Sequence, residues 1–109
     1  MASLNKIVLT GRLKDAPDVK VTNQGHTLSS FLLEVPRNDQ SGQQQFDTIR
    51  IVCWRDIAEK TKSFQAKDVI TLEGRISTNS FEDPSTGNRR YSTEVEARTI
   101  TPLQSLFQG

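Results

Sequence analysis

Three aromatic rings and a scatter of cations are the side chains of this sequence best suited to chemistry. Trp54 is followed at once by Arg55 and Asp56, Phe81 stands between Ser80 and Glu82, and Tyr91 follows Arg89 and Arg90. Flat rings near solvent can stack on unpaired bases, while Lys and Arg neutralise phosphates, and together they can hold an unpaired nucleic-acid strand. Trp54 also has a core reading, as a cap on a barrel below a helix. Among the cations, Arg50 and Arg75 sit mid-strand between apolar neighbours, so they point away from the core and can line a groove or form surface salt bridges, for instance with Asp47 or Glu73. Arg12 and Lys14 can lead a backbone along the first strand. Arg37, Arg89 and Arg90 lie on loops able to close over it.

Catalysis finds little support. The lone histidine, His26, lies in a Gly25-His26-Thr27 turn with no cysteine or carboxylate cluster nearby, so a metal site is not expected. The one cysteine, Cys53, stands among Ile51, Val52 and Trp54 and reads as a buried core thiol rather than a nucleophile. The glycines occur without a phosphate-cradling loop or a dinucleotide fingerprint. No enzyme activity and no cofactor are therefore expected.

Bulk properties limit the rest. The chain has 109 residues, enough for one domain with one modest core. Fourteen Lys and Arg against thirteen Asp and Glu leave a net charge of only +1, so any basic face must arise by local clustering. No stretch reaches the roughly 20 apolar residues of a membrane span. The N-terminus has no long apolar region of the kind a secretory signal needs. With no internal disulfide possible, a reducing, cytoplasmic setting is expected.

The elements that must position these groups follow from period-2 alternation and turn residues. Ile7 to Leu13 is a β-rich run, with Gly11 marking a bulge or sharp coil. Asp18 to Thr22 is a short extension, and Asn23-Gln24-Gly25 is a turn. Thr27 to Val35 is a second strand, with Ser29, Phe31, Leu33 and Val35 on one face. Residues 36–45 form a polar hairpin tip, with Phe46 either stacking or anchoring its base. Asp47 to Trp54 is a third strand, after which Ile57, Ala58, Thr61 and Phe64 share a helical face. Val69 to Thr78 and Tyr91 to Thr101 are the fourth and fifth strands, joined through a loop at residues 84–88. Phe31 and Phe64 fit core positions. The expected fold is all-β with one short helix: an OB-fold, a five-stranded Greek-key barrel with long hairpins. Residues 1–103 would form this domain and residues 104–109 a short tail.

Several segments resemble the bacterial single-stranded DNA-binding protein family. They are Leu4 to Leu13, Ser30 to Val35, Val52 to Glu59, Glu73-Gly74-Arg75-Ile76, and Asn88 to Val95, in family order and spacing. The resemblance implies an OB-fold that assembles as a homo-oligomer, a tetramer in preference to a dimer. It also implies sequence-independent binding and protection of single-stranded DNA in replication, repair and recombination. By the same resemblance Trp54 and Phe81 occupy positions where family members place base-stacking aromatics, and Tyr91 one that often holds the hairpin. Ile49, Ile51 and the first strand are candidate subunit-interface surface, though core placement is the plainer reading.

The departures bear on strength. Thr48 and Pro36-Arg37 stand where relatives often carry aromatics, and Ser77 to Ser80 is neutral where relatives place cations. Weaker binding, a smaller site or a different wrapping path is expected. The chain stops at Gly109 without the acidic tip that relatives use to recruit other proteins, as a truncation or a naturally short member would. The alternative is a dimer similar to primosomal replication protein N, acting in replication restart through protein and DNA contacts.

Overall fold

The computed structural model describes residues 3–37 and 44–103. Its elements are β1 (Ile7–Leu13), β2 (Asp18–Val21), β3 (Thr27–Pro36), β4 (Phe46–Trp54), α1 (Arg55–Lys60), β5 (Val69–Glu82) and β6 (Arg89–Pro102). Six strands form one sheet in the order β1-β5-β6-β4-β3-β2, and a further β1–β3 pairing closes it into a ring. All neighbours are antiparallel except β4 and β6, which run parallel through Ile51↔Val95 and Val52↔Glu96. This is the expected OB-fold, with β2 as the short extension and α1 between its third and fourth long strands. The centre of the first hairpin tip and the six-residue tail fall outside the described residues.

Closure depends on Gly11. β1 pairs with β5 from Ile7 to Arg12 in unbroken register, then meets β3 through Arg12↔Glu34 and Leu13↔Leu33. A side chain at Gly11 would run into the Glu34 carbonyl oxygen, so only glycine lets β3 come this near. The irregularity expected at Gly11 is thus a change of partner without a bulge. The bulge occurs instead where Glu73 pairs with Thr99 and Gly74 with Ala97, leaving Arg98 as the extra residue. It shifts the inward phase of β6, so that Val95, Ala97 and then Ile100 are buried, while Thr99 is exposed.

Inward side chains fill the barrel as alternation predicts. Phe31, Leu33, Ile51, Cys53, Ile70, Leu72 and Val95 are buried together with Ala58 and Phe64 from the helical segment. Burial stabilises each large apolar side chain by about 1.5–3 kcal/mol relative to exposure. Ile51 is fully buried and Ile49 packs against the same cluster, so both belong to the core rather than to a subunit interface. The helix expected to continue to Phe64 is α1 followed by a 3-10 turn at Thr61–Ser63. At the junction the buried Thr61 hydroxyl donates to the Ala58 carbonyl (2.7 Å) and is hydrogen-bonded to the Ser29 hydroxyl (2.7 Å), tying the helix to β3 without an unpaired polar group.

Burial pushes the Cys53 thiol up to about 12. In the unfolded chain a thiol ionises near 8.5, so the folded state retains a proton that the unfolded state loses. Stability is therefore unaffected below that value and falls as pH rises from it towards 12. Native protein at pH 8 is expected to resist iodoacetamide, with full alkylation only in denaturant. Rapid labelling of the native state, read by mass spectrometry, would contradict the buried placement.

Candidate nucleic-acid interface

Strand register decides which side chains share the outside of the barrel, because directly opposed residues project to the same face. Across β3 and β4 the outward pairs are Leu28↔Trp54, Ser30↔Val52 and Leu32↔Arg50. β2 adds Lys20 opposite Leu28 and Asp18 opposite Ser30. On the other side, Val52 is level with Glu96, which pairs with Arg75, and the hairpin continues through Ser77↔Glu94 and Asn79↔Ser92 to Phe81↔Arg90. Trp54, Arg50, Arg75, Phe81 and Arg90 therefore belong to one continuous outer face.

Trp54 ends β4 with its ring 40% exposed. It lines a groove of about 500 Å³ with Lys20, Leu28, Leu32, Arg50, Val52 and Glu94. Leu28 and Leu32 supply apolar walls, and the groove remains open to solvent. On its other side Trp54 borders a second hollow with His26, Arg55 and Glu96. Arg55 adopts a left-handed conformation (φ 57), so the chain turns sharply out of β4 at this point. Trp54 thus stands at a corner, reachable from both sides. Phe81 is half-exposed far out on the β5–β6 hairpin, where no core exists for it to join. By the β4–β6 register the two rings lie roughly 26 Å apart along the strand direction at ~3.3 Å per residue.

The remaining expected site residues divide. Tyr91 is the most exposed ring of the hairpin, but it opposes Ser80 and so projects to the reverse side from Phe81. Arg89 shares that reverse side and donates to the Ser80 hydroxyl (2.9 Å). Arg90 donates to Asp83 across the hairpin tip, with Nε 2.6 Å from its carboxylate. The Asp83 carboxyl is held below its ordinary range, first by the hydrogen bond from the Ser85 hydroxyl. Arg37 pairs with Asp47 at 2.8 Å at the base of the first hairpin. Lys14 is exposed and lies just beyond the β1–β3 closure. Arg12 pairs with Glu34 (3.0 Å) and lies 4.3 Å above the Phe46 ring. Phe46 pairs with Pro36 at the base of the hairpin.

Arg50 and Arg75 face outward, as their positions in the strands imply, and both are paired. Their partners are not Asp47 and Glu73 but residues of β6: Arg50 lies 3.4 Å from Glu94, and Arg75 lies 3.0 Å from Glu96. The cations beside Trp54 without a carboxylate partner among the described residues are Lys20 and Arg55. Neither stood out in the sequence as a site residue. Lys20 reaches the face only because β2 pairs in register with β3, and Arg55 only because of its left-handed turn. Neither feature has a local sequence signal.

The arrangement is one of exposed aromatic rings and cations on a curved sheet. Among the described residues no cluster of His, Cys, Asp and Glu could hold a metal ion, and no helix is long and apolar enough to cross a membrane. A sequence-family model described as the single-strand binding protein family matches residues 4–103. The chain belongs to that family. Among its relatives, "Single-stranded DNA-binding protein 2" of Listeria innocua is 38% identical over 93% of this chain. "Single-stranded DNA-binding protein 3" of Clostridium acetobutylicum is 40% identical over the same share. "Single-stranded DNA-binding protein A" of Bacillus subtilis is 36% identical, again over 93% of the chain. The chain spans 65%, 72% and 60% of the length of these three relatives. The matched region contains both rings of the outer face, Trp54 and Phe81, and every cation named on it.

Proposed function

We propose that this single-strand binding family chain binds and protects single-stranded DNA without reading its sequence, as a binding module and not an enzyme. The observation that carries the proposal is Trp54, an exposed ring on a curved outer sheet face, with Phe81 further along the same face and cations between and beside them. Unpaired bases stack on the rings, and phosphates follow the positive side chains, so base identity matters little. The names of the relatives support this reading, which places the chain in replication, repair and recombination in the cytoplasm. The family membership also supports a homo-oligomer, with a tetramer favoured. The edge of β2, outside the closed ring and unpaired among the described residues, is the kind of surface another copy would cover.

The test is a fluorescence-anisotropy titration of a labelled oligo-dT, with unlabelled single strand and hairpin duplex as competitors. Single strand displaces the probe and duplex competes poorly, because paired bases keep their faces in the stack. No change in anisotropy at micromolar protein and low salt, or equal competition by duplex, would refute the function. The same assay checks the second ring. Phe81→Ala is expected to weaken binding by about 1–3 kcal/mol, and Tyr91→Ala, on the reverse side of the hairpin, to weaken it less. Equal losses would assign both sides of the hairpin to the strand path.

A further inference from the structure

The route from Trp54 to Phe81 crosses two ion pairs, and their geometry is unequal in a telling way. Arg50 is mostly exposed and only 3.4 Å from Glu94, whereas the Glu94 side chain is 16% exposed and also accepts a hydrogen bond from Asn79 Nδ2 at 2.9 Å. The carboxylate is fixed and the guanidinium can leave. The neighbouring Arg75–Glu96 pair lies one row nearer Trp54 at 3.0 Å, with its two side chains about equally exposed and Glu96 bordering the hollow beside that ring.

We infer that Glu94 and Glu96 are built-in counter-ions of the binding face, which hold Arg50 and Arg75 until phosphodiesters of the bound strand displace them. The inference rests on the proposed strand binding and assigns an affinity-setting role to two carboxylates on β6. Exposed ion pairs contribute little stability, so a phosphate of full negative charge can take the arginine over. The carboxylate left behind remains charged and close to the incoming backbone, which opposes binding. It also takes up a cation from solution, offsetting the counter-ion that the phosphate releases. Two effects follow: affinity is held down, and its dependence on salt is shallower than the number of arginines on the face would give. The near-balance of charge in the composition thus has a local counterpart on the strand path itself.

The experiment compares wild type, Glu94→Gln and Glu96→Gln by oligo-dT anisotropy across a series of salt concentrations. Glu59→Gln serves as the matched charge change, since Glu59 on α1 pairs with Lys62 of the following 3-10 turn and not with an arginine of the sheet. Glu94→Gln is expected to bind about three- to tenfold tighter at low salt, with a log–log salt slope steeper by about 0.7. Adding Arg50→Gln to that variant should remove both gains, and Glu59→Gln should show no change in slope. If Glu94→Gln lowers the melting temperature, Glu96→Gln provides the same two readings from a more exposed position. Unchanged or weaker binding with an unchanged slope in both carboxamide variants, while wild type binds normally, would overturn the counter-ion role and leave strand binding standing. Failure of wild type to bind would overturn the functional proposal and this inference with it.

Discussion

Trp54→Ala is expected to weaken oligo-dT binding by about 1–3 kcal/mol, roughly 5- to 150-fold in dissociation constant at 1.4 kcal/mol per decade, while leaving the fold intact. The ring stands outside the barrel, opposite Leu28, and takes no part in the buried cluster around Leu33, Ile51 and Phe64. Removing it leaves no internal cavity, so the loss of about 3–5 kcal/mol that follows truncation of a buried aromatic does not apply. What disappears is a stacking surface at the corner where the groove and the Arg55 hollow meet. Trp54→Phe should recover a good part of the affinity, because it keeps a flat ring in place. Equilibrium anisotropy and thermal melting measured on the same preparations check both halves. A variant that binds as wild type but melts much lower would return Trp54 to the core.

The other large effect concerns the fold. Gly74→Ala should destabilise the domain by about 1–3 kcal/mol or more, lowering the melting temperature by roughly 4–8 °C for each kcal/mol. A Cβ at Gly74 would run into the Glu96 carbonyl oxygen and lie 3.0 Å from its carbon and 3.1 Å from Ala97 Cα. These are backbone atoms of the paired strand, so no side chain can swing aside to make room. Relief requires moving β6 at the bulge, the segment that sets where Glu96 and Arg75 face. Binding should therefore weaken along with stability. Chemical denaturation together with the anisotropy assay tests this, and wild-type stability in Gly74→Ala would show that β6 yields more freely than the ladder implies.

The alternation in β3 and β4 made the core legible, because these strands bury one face and expose the other. Phe31, Leu33 and Cys53 follow from that pattern, and so does the outward direction of Arg50. The hairpin arms of β5 and β6 extend beyond the strands the sequence marks because, Phe81 apart, the residues beyond Thr78 and before Tyr91 are polar. With no apolar face to mark the period, the strand carries no signal there. The bulge at Arg98 hid the burial of Ile100, since one extra residue reverses every later side chain.

The site was legible in kind but not in wiring. Exposed rings and outward arginines could be named from their neighbours. Their partners could not, because Glu94 and Glu96 reach Arg50 and Arg75 only through the parallel β4–β6 contact and the β5–β6 register. Those pairings join distant parts of the chain and leave no spacing rule behind. For the same reason no local signal marks Lys20 as part of the face or places the Arg12 guanidinium over Phe46.

The central claim is that an unpaired strand stacks on Trp54, and the sole tryptophan of the chain makes this directly observable. The deciding measurement is a titration of intrinsic fluorescence with oligo-dT at low salt, followed by stepwise addition of salt to the complex. The account predicts saturable quenching of Trp54 that salt reverses. An unchanged emission spectrum with folded protein and micromolar strand would contradict it.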